Sequence, residues 1–232
     1  MTGRRSATEA RSSRAGPRAR RGFFDRPAAR VARELLGATL TVRSGRLARS
    51  VRIVETEAYV RGDPASHAFR GPTRRNRSMF SAPGTLYVYR IHQVVCANLV
   101  ARHGEAVLLR AGTDERTEPK TASGPGRLCR FLGILLEDDG SDVVRGGRFE
   151  VHLAPVPART VRVGPRIGIR KAVGRPLRFA LADEPAVSGP RRRAITSASS
   201  SRSRAVGPSP RSRTRNRRSS AGGRSGGRSA DK

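Results

Sequence analysis

Two glutamates one residue apart, Glu55 and Glu57 in RIVETEAY, are the carboxylates best placed for acid–base chemistry. They stand out in a chain with 48 Lys+Arg against 18 Asp+Glu. Period-2 strand geometry puts both on one face, opposite Thr56 and Ala58. From spacing alone, that face is the solvated side of a half-buried sheet. Against this, acids are scarce here and a long Gly/Pro loop follows at once, and loops at strand ends are where sites are commonly built. His67, in DPASHAFRG, lies on that loop; a lone loop histidine is either exposed and capping or a pocket residue. The four histidines (His67, His92, His103, His152) have no metal-ligand spacing and no Cys pair beside them, so no metal site is expected.

All three tyrosines, Tyr59, Tyr87 and Tyr89, sit near this region. Tyr87 and Tyr89 alternate on one strand and share a face. They are core packing, or they wall a pocket in which a flat base stacks, worth about 1–3 kcal/mol per base in single-strand systems. Their concentration beside the glutamate pair, in a chain without Trp, favours the pocket. The basic string TRRNRSMF (73–80) is a solvated face or a phosphate grip, in which Arg75 and Asn76 would position a backbone rather than read bases. Ser123-Gly124-Pro125-Gly126 is an ordinary helix start, or it turns backbone N–H groups toward a phosphate.

These residues need a scaffold. DRPAARVARELLG reads as a helix, with Asp25 as cap, Pro27 in the first turn, Gly37 as stop, and Ala28, Val31, Ala32, Leu35 and Leu36 on one face. ATLTVR and LARSVRIVETEAY flank Ser44-Gly45 and read as a hairpin. Residues 60–84 read as loop. Strands are expected at 85–91, 94–100, 105–111, 148–154 and 159–164, and a short helix at 123–134. Many short strands and few short helices imply an α+β class: a single compact domain with a mainly antiparallel sheet and short peripheral helices.

The formal net charge of +30 is concentrated at the ends. Residues 1–22 carry seven Arg and one Glu, and residues 189–232 carry twelve Arg, one Lys and one Asp. Both segments are Arg/Ser/Gly/Pro-rich and lack the apolar surface needed to offset ordering entropy, so both are expected to be disordered tails around a domain at 23–188. They are either electrostatic anchors for nucleic acid or solvated passengers. Two cysteines, Cys96 and Cys129, exclude a disulfide scaffold, and no apolar run is long enough for a bilayer. The start of the chain has no apolar segment after its positive charges, so no secretory signal is expected and a reduced, cytoplasmic setting is the default. A charge this large favours a polyanionic partner.

Taken in order, RIVETEAY, D-x-A-S-H-A, T-x-R-N-x-x-M-F-x-x-P-G-x-L-Y-V-Y, C-x-N, AVLLRA, S-G-P-G-x-L, PRIGI and P-L-R-F form one pattern within Leu35 to Val187. Each string is weak alone, and eight in one order leave little room for chance. The chain resembles the alkyladenine (3-methyladenine) DNA glycosylases. The resemblance implies a monofunctional enzyme of base excision repair. It would flip alkylated or deaminated purines (3-methyladenine, 7-methylguanine, hypoxanthine) out of double-stranded DNA and hydrolyse the N-glycosidic bond without metal or cofactor. It further implies Glu57 as general base, Arg110 as support for the catalytic water and DNA backbone, Tyr59, Tyr89 and His67 as pocket walls, and Asn98 as the group that crowds a guanine amino group. A monomer is expected, nucleoid-associated in a bacterium or nuclear in a eukaryote.

One stretch departs from that family. After Y-V-Y a wedge followed by Gly usually enters the gap left by the flipped nucleotide; YVYRIHQVVCAN is one residue shorter and lacks it. Ile91, His92 or Gln93 must fill the gap, with His92 favoured. The bulkier aromatic usual near the C-terminal V-S is also missing in EPAVSG. None of the strings holds a lysine, so no Schiff-base lyase step is expected. The rival reading is a catalytically weak basic nucleic-acid-binding protein on the same scaffold, which the altered wedge and basic tails favour and the intact Glu57, Tyr59, His67, Asn98 and Arg110 set opposes.

Overall fold

A computed structural model describes residues 16–155 and 160–189. Residues 1–15 and 190–232, and with them most of the expected tails, lie outside the described residues. Eight strands form one antiparallel sheet: β1 (Thr39–Ser44), β2 (Leu47–Tyr59), β3 (Leu86–Ile91), β4 (Val94–Val100), β5 (Ala106–Thr113), β6 (Phe149–His152), β7 (Val161–Gly164) and β8 (Arg178–Leu181). Among the described residues three short helices accompany it, α1 (Arg21–Phe24), α2 (Ala28–Glu34) and α3 (Pro125–Leu132). The α+β expectation holds. The spatial order is β3-β4-β5-β2-β1-β6, with β8 pairing β2 and β7.

β2 is the spine. Its first half pairs with β1 across the Gly45-Arg46 turn, where Gly45 has φ +57°. Its second half has β5 on one side and β8 on the other. The register with β5 skips twice, once at Val54 on β2 and once at Arg110 on β5. Such bulges re-aim side chains within a ladder. One face of the sheet packs on the helices: Leu40, Ile53, Leu86, Leu99 and Leu109 meet Val31, Leu35 and Leu128 in one fully buried cluster. Each such side chain contributes roughly 1.5–3 kcal/mol by leaving water.

Two sequence expectations need correction here. Helix α2 starts at Ala28, not after Asp25, and Pro27 at its N-cap provides no side-chain oxygen. The Ala28 N–H is instead taken by the carboxylate of Glu105, 2.8 Å away and 77 residues later, an acid at a helix N-terminus where the dipole favours it. Residues 16–22, placed in the disordered tail, lie against the domain: Arg18 bridges to His152, Ala19 is buried, and Arg21 begins a helical turn ion-paired to Asp142 at 2.6 Å. Among the described residues no helix is long and apolar enough to cross a membrane.

Candidate active site

The face of the sheet turned away from the helices carries the chemistry. Register alone assembles it: Tyr87 pairs with Asn98, Asn98 with Leu108, Leu108 with Glu57, and Glu57 with Arg178. Because directly opposed residues share a face, these five side chains form one row across five strands. Tyr89 pairs with Cys96 in the next row. Above this floor lies a cavity of about 520 Å³, lined by Tyr59, Tyr87, Tyr89, His67, Asn98 and Arg110, with Met79, Leu108 and segment 167–171 completing the wall. That volume is in the range of small-ligand sites.

Glu55 and Glu57 are both fully buried, which overturns the solvated-face expectation. On a central strand covered from both edges, neither carboxylate reaches bulk water. Glu55 is held by three donors: Arg178 at 2.5 Å, Arg110 at 3.2 Å and the Ser188 backbone N–H at 2.7 Å. Arg110 also lies 3.2 Å from Glu57 and donates to the Ser188 hydroxyl at 3.1 Å, so one guanidinium joins both acids. Glu57 Oε1 further accepts the Ile167 N–H at 2.8 Å, and Oε2 accepts the Tyr59 hydroxyl at 3.2 Å. Glu57 is fully buried and does not itself line the cavity; it touches Tyr59 and Arg110, which do. Burial pushes its pKa above the ordinary carboxylate value, opposed first by Arg110 and then by the two hydrogen bonds.

The aromatic wall is tightly organised. His67 Nδ1 is 2.9 Å from the Tyr87 hydroxyl, and its ring meets Tyr89 edge-on at 4.5 Å between centroids. Partial burial lowers the His67 pKa, which favours the neutral ring. Burial raises all three tyrosine pKa values, so the hydroxyls stay protonated. Tyr87, which the family resemblance left without a role, is as much part of the wall as Tyr89. The Asn98 amide donates to the Tyr87 carbonyl at 3.1 Å, which fixes its orientation in the floor.

The residues expected at DNA divide. Arg75 is exposed on the loop before the 3-10 turn Arg77–Phe80. His92 is exposed at the two-residue tip between β3 and β4, at φ +51°, flanked by the exposed apolar side chains Ile91 and Val94. All three line the cavity mouth. Asn76 is a correction: it is buried, its carbonyl accepts the Thr73 N–H and hydroxyl, and its amide donates to the His67 and Gly71 carbonyls. Its side chain ties the loop that carries His67 and is not presented to a phosphate. Lysine is a second correction, since Lys171 lines the cavity although none of the quoted strings contained one. Lys120 is held by the Val187 carbonyl at 2.6 Å.

The string PRIGI had no assigned role, and the structure gives it one. Ile167 provides the N–H to Glu57, and Arg166 lies fully buried against Asp63 and over the Tyr59 ring at 4.6 Å. Among the described residues no group of three or more His, Cys, Asp or Glu could hold a metal ion. The arrangement can accept a flat base between aromatic rings and hold an ionised carboxylate, braced by a guanidinium, against its far side.

A model of the methylpurine-DNA glycosylase family matches residues 22–185. Curated relatives agree in extent. A protein of Synechococcus elongatus is 45% identical over 178 residues, covering 74% of this chain and 91% of its own. One of Nitrosospira multiformis is 45% identical over 177 residues, 69% of this chain and 88% of its own. One of Methanoculleus marisnigri is 41% identical over 184 residues, 68% of this chain and 92% of its own. All three bear the provisional name 3-methyladenine DNA glycosylase.

Proposed function

The chain belongs to the methylpurine-DNA glycosylase family, hydrolases of N-glycosyl bonds that act on DNA, and from that premise we propose that it excises 3-methyladenine and related alkylated or deaminated purines with Glu57 as general base. The observation that carries the reading is the carboxylate of Glu57 joined to Arg110 beneath a cavity walled by three tyrosines and His67.

A purine in duplex DNA must be everted before its glycosidic bond can be reached, at an expense of a few kcal/mol that is least for damaged or mispaired bases. Stacking on Tyr59, Tyr89 and His67 offsets it. A cationic purine such as 3-methyladenine gains further from aromatic faces, by about 0.5–2 kcal/mol. His92 at the hairpin tip, with Ile91 and Val94 beside it, is the group that meets the gap in the stack. Arg170 in the cavity wall and the exposed Arg75 position the backbone. Asn98, fixed in the floor, crowds the exocyclic amino group that guanine has and adenine lacks.

In the chemical step a water oxygen bonds to C1′ of the deoxyribose as the C1′–N bond breaks. The bonding pair leaves with the base, so a cationic purine departs neutral, and a neutral one such as hypoxanthine departs as its anion and takes up a proton from solvent. The water's proton passes to Glu57. The negative charge of Glu57 also favours the cationic character developing on the sugar. Oε2 has acceptor capacity left, because its one partner among the described residues, the Tyr59 hydroxyl, is at 3.2 Å, long for an O–H···O bond. No metal or cofactor is needed in this scheme.

The test uses duplexes carrying a single 3-methyladenine, 7-methylguanine or hypoxanthine, incubated with the protein and then treated with alkali. Alkali-labile breaks at the lesion are expected for at least the methylated adenine, and none for undamaged duplex. If no lesion yields breaks while the protein still shifts the duplexes in a gel, the binder reading replaces this one.

A further inference from the structure

We infer that Arg166 is a positioning residue that sets Glu57 and Tyr59 in register with each other, a role that rests on the reading of Glu57 as the base. Three contacts define it. Arg166 Nη1 donates to the Ala58 carbonyl at 3.0 Å, in the middle of the strand segment between Glu57 and Tyr59. The same nitrogen pairs with Asp63, and both side chains are fully enclosed. Its guanidinium lies 4.6 Å from the Tyr59 ring centroid, on the face of a ring that also lines the cavity. The next residue, Ile167, sends its N–H to Glu57. Thus both of the glutamate's partners other than Arg110, the Tyr59 hydroxyl and the Ile167 amide, adjoin Arg166.

The remaining valences argue against a purely structural purpose. Arg166 Nε and Nη2 are buried and have no hydrogen-bond partner among the described residues. A buried ion pair kept for stability alone would satisfy its donors, and apolar residues of similar volume usually serve stability as well or better. Here the guanidinium carbon lies over the tyrosine ring, 4.6 Å from its centroid. Asp63 closes the device: its Oδ1 accepts the Ala65 N–H, so the acid that holds Arg166 also turns the loop that carries His67. One guanidinium thereby ties three parts of the site, namely β2, the 63–67 loop and segment 166–168.

The consequence is readable in a pH profile. Glu57 faces Arg110 from β5, Arg178 opposite it on β8, Glu55 and Tyr59 along β2, Cys96 from β4 and the Ile167 amide. The hydrogen bonds from Tyr59 and Ile167 both favour its ionised form. Loosening them raises the pKa at which the base loses its proton, so the acid limb of excision moves to higher pH.

The experiment compares wild type, Glu57→Gln, Arg166→Lys and the charge-free double variant Asp63→Asn/Arg166→Met. Each is measured by single-turnover excision of hypoxanthine from about pH 5 to pH 9, with rates scaled to the folded fraction from melting curves. The double variant is expected to stay folded and to bind the lesion duplex as wild type does. Its rate should fall about 10²-fold, the penalty of a misplaced catalytic group, with its acid limb displaced upward. Lysine, which keeps the charge but not the guanidinium, should fall between. If the double variant does not fold, Arg166→Lys carries the same readouts. A rate per folded molecule equal to wild type, or a lower rate with the acid limb unmoved, overturns the inference. An active Glu57→Gln would instead overturn the reading of the base itself.

Discussion

Replacing Arg110 by methionine should destabilise the protein in a pH-dependent way. The guanidinium lies 3.2 Å from each of two fully buried carboxylates and 3.1 Å from the Ser188 hydroxyl. Glu55 would keep Arg178 and the Ser188 N–H, whereas Glu57 would keep two hydrogen bonds but lose its ion pair. Removing one partner of a buried pair costs about 3–5 kcal/mol. In a molecule of this size each kcal/mol moves Tm by about 2–4 °C, so a fall on the order of 10 °C is expected near neutral pH. Burial already holds the folded-state pKa of Glu57 above its model-compound value of 4.5, and Arg110 is the largest opposing influence. Without Arg110 the folded pKa rises further. A group whose folded pKa is raised contributes stability that is present at low pH and lost as pH rises through that pKa. The deficit relative to wild type should therefore narrow between neutral pH and about pH 5, as Glu57 takes up its proton. Thermal melts of both proteins across that range measure it. A deficit that is constant, or that widens on acidification, would show that the carboxylate is not the charge Arg110 compensates. Adding Glu57→Gln to Arg110→Met should remove the pH dependence and restore part of the loss.

Three further outcomes follow from the same geometry. Asn98→Ala should raise excision of guanine-type lesions relative to adenine-type lesions, by roughly tenfold for the loss of one steric contact of 1–2 kcal/mol; an unchanged ratio in a competition assay would remove Asn98 as the discriminating group. Deleting residues 1–15 and 190–232, which spares the packed residues 16–22, should flatten the dependence of DNA affinity on log salt, since half the net charge lies in those segments; an unaltered slope would make them passengers. Borohydride added during turnover should trap no covalent DNA adduct despite Lys171 in the cavity wall, and abasic product should stay unbroken until alkali is added; a trapped adduct lost in Lys171→Ala would assign a lyase step.

Much of the scaffold was legible because its signals are local. Alternating apolar residues and two-residue turns marked β1 to β5 to within a residue or two, and Gly124-Pro125 marked the start of α3. The residue types of the site were legible through the ordered strings. Burial was not. The face bearing Glu55 and Glu57 looks solvated within RIVETEAY because its cover arrives from far along the chain. Ile167, Arg178 and Ser188 reach the pair across 110, 123 and 133 residues. β8 itself escaped notice because four residues, RFAL, carry too little alternation to announce a strand. Asn76 read as a phosphate ligand because it lies among arginines, yet its four hydrogen bonds all stay within 67–76 and close the loop on itself. The cap on α2 was likewise invisible, since an acid in another element replaces the local one.

The central claim is that the Glu57 carboxylate takes the proton of the attacking water. Glutamine at this position can still accept from Arg110 and Ile167 and can donate to the Tyr59 oxygen, so the site should keep its shape. The most direct test is the single-turnover excision rate of Glu57→Gln on a hypoxanthine duplex, beside its affinity for the same duplex. The account predicts a rate lower by more than about 10³-fold, within the span general-base catalysis supplies, with affinity little changed. Excision at the wild-type rate, or parallel loss of rate and affinity, would contradict it.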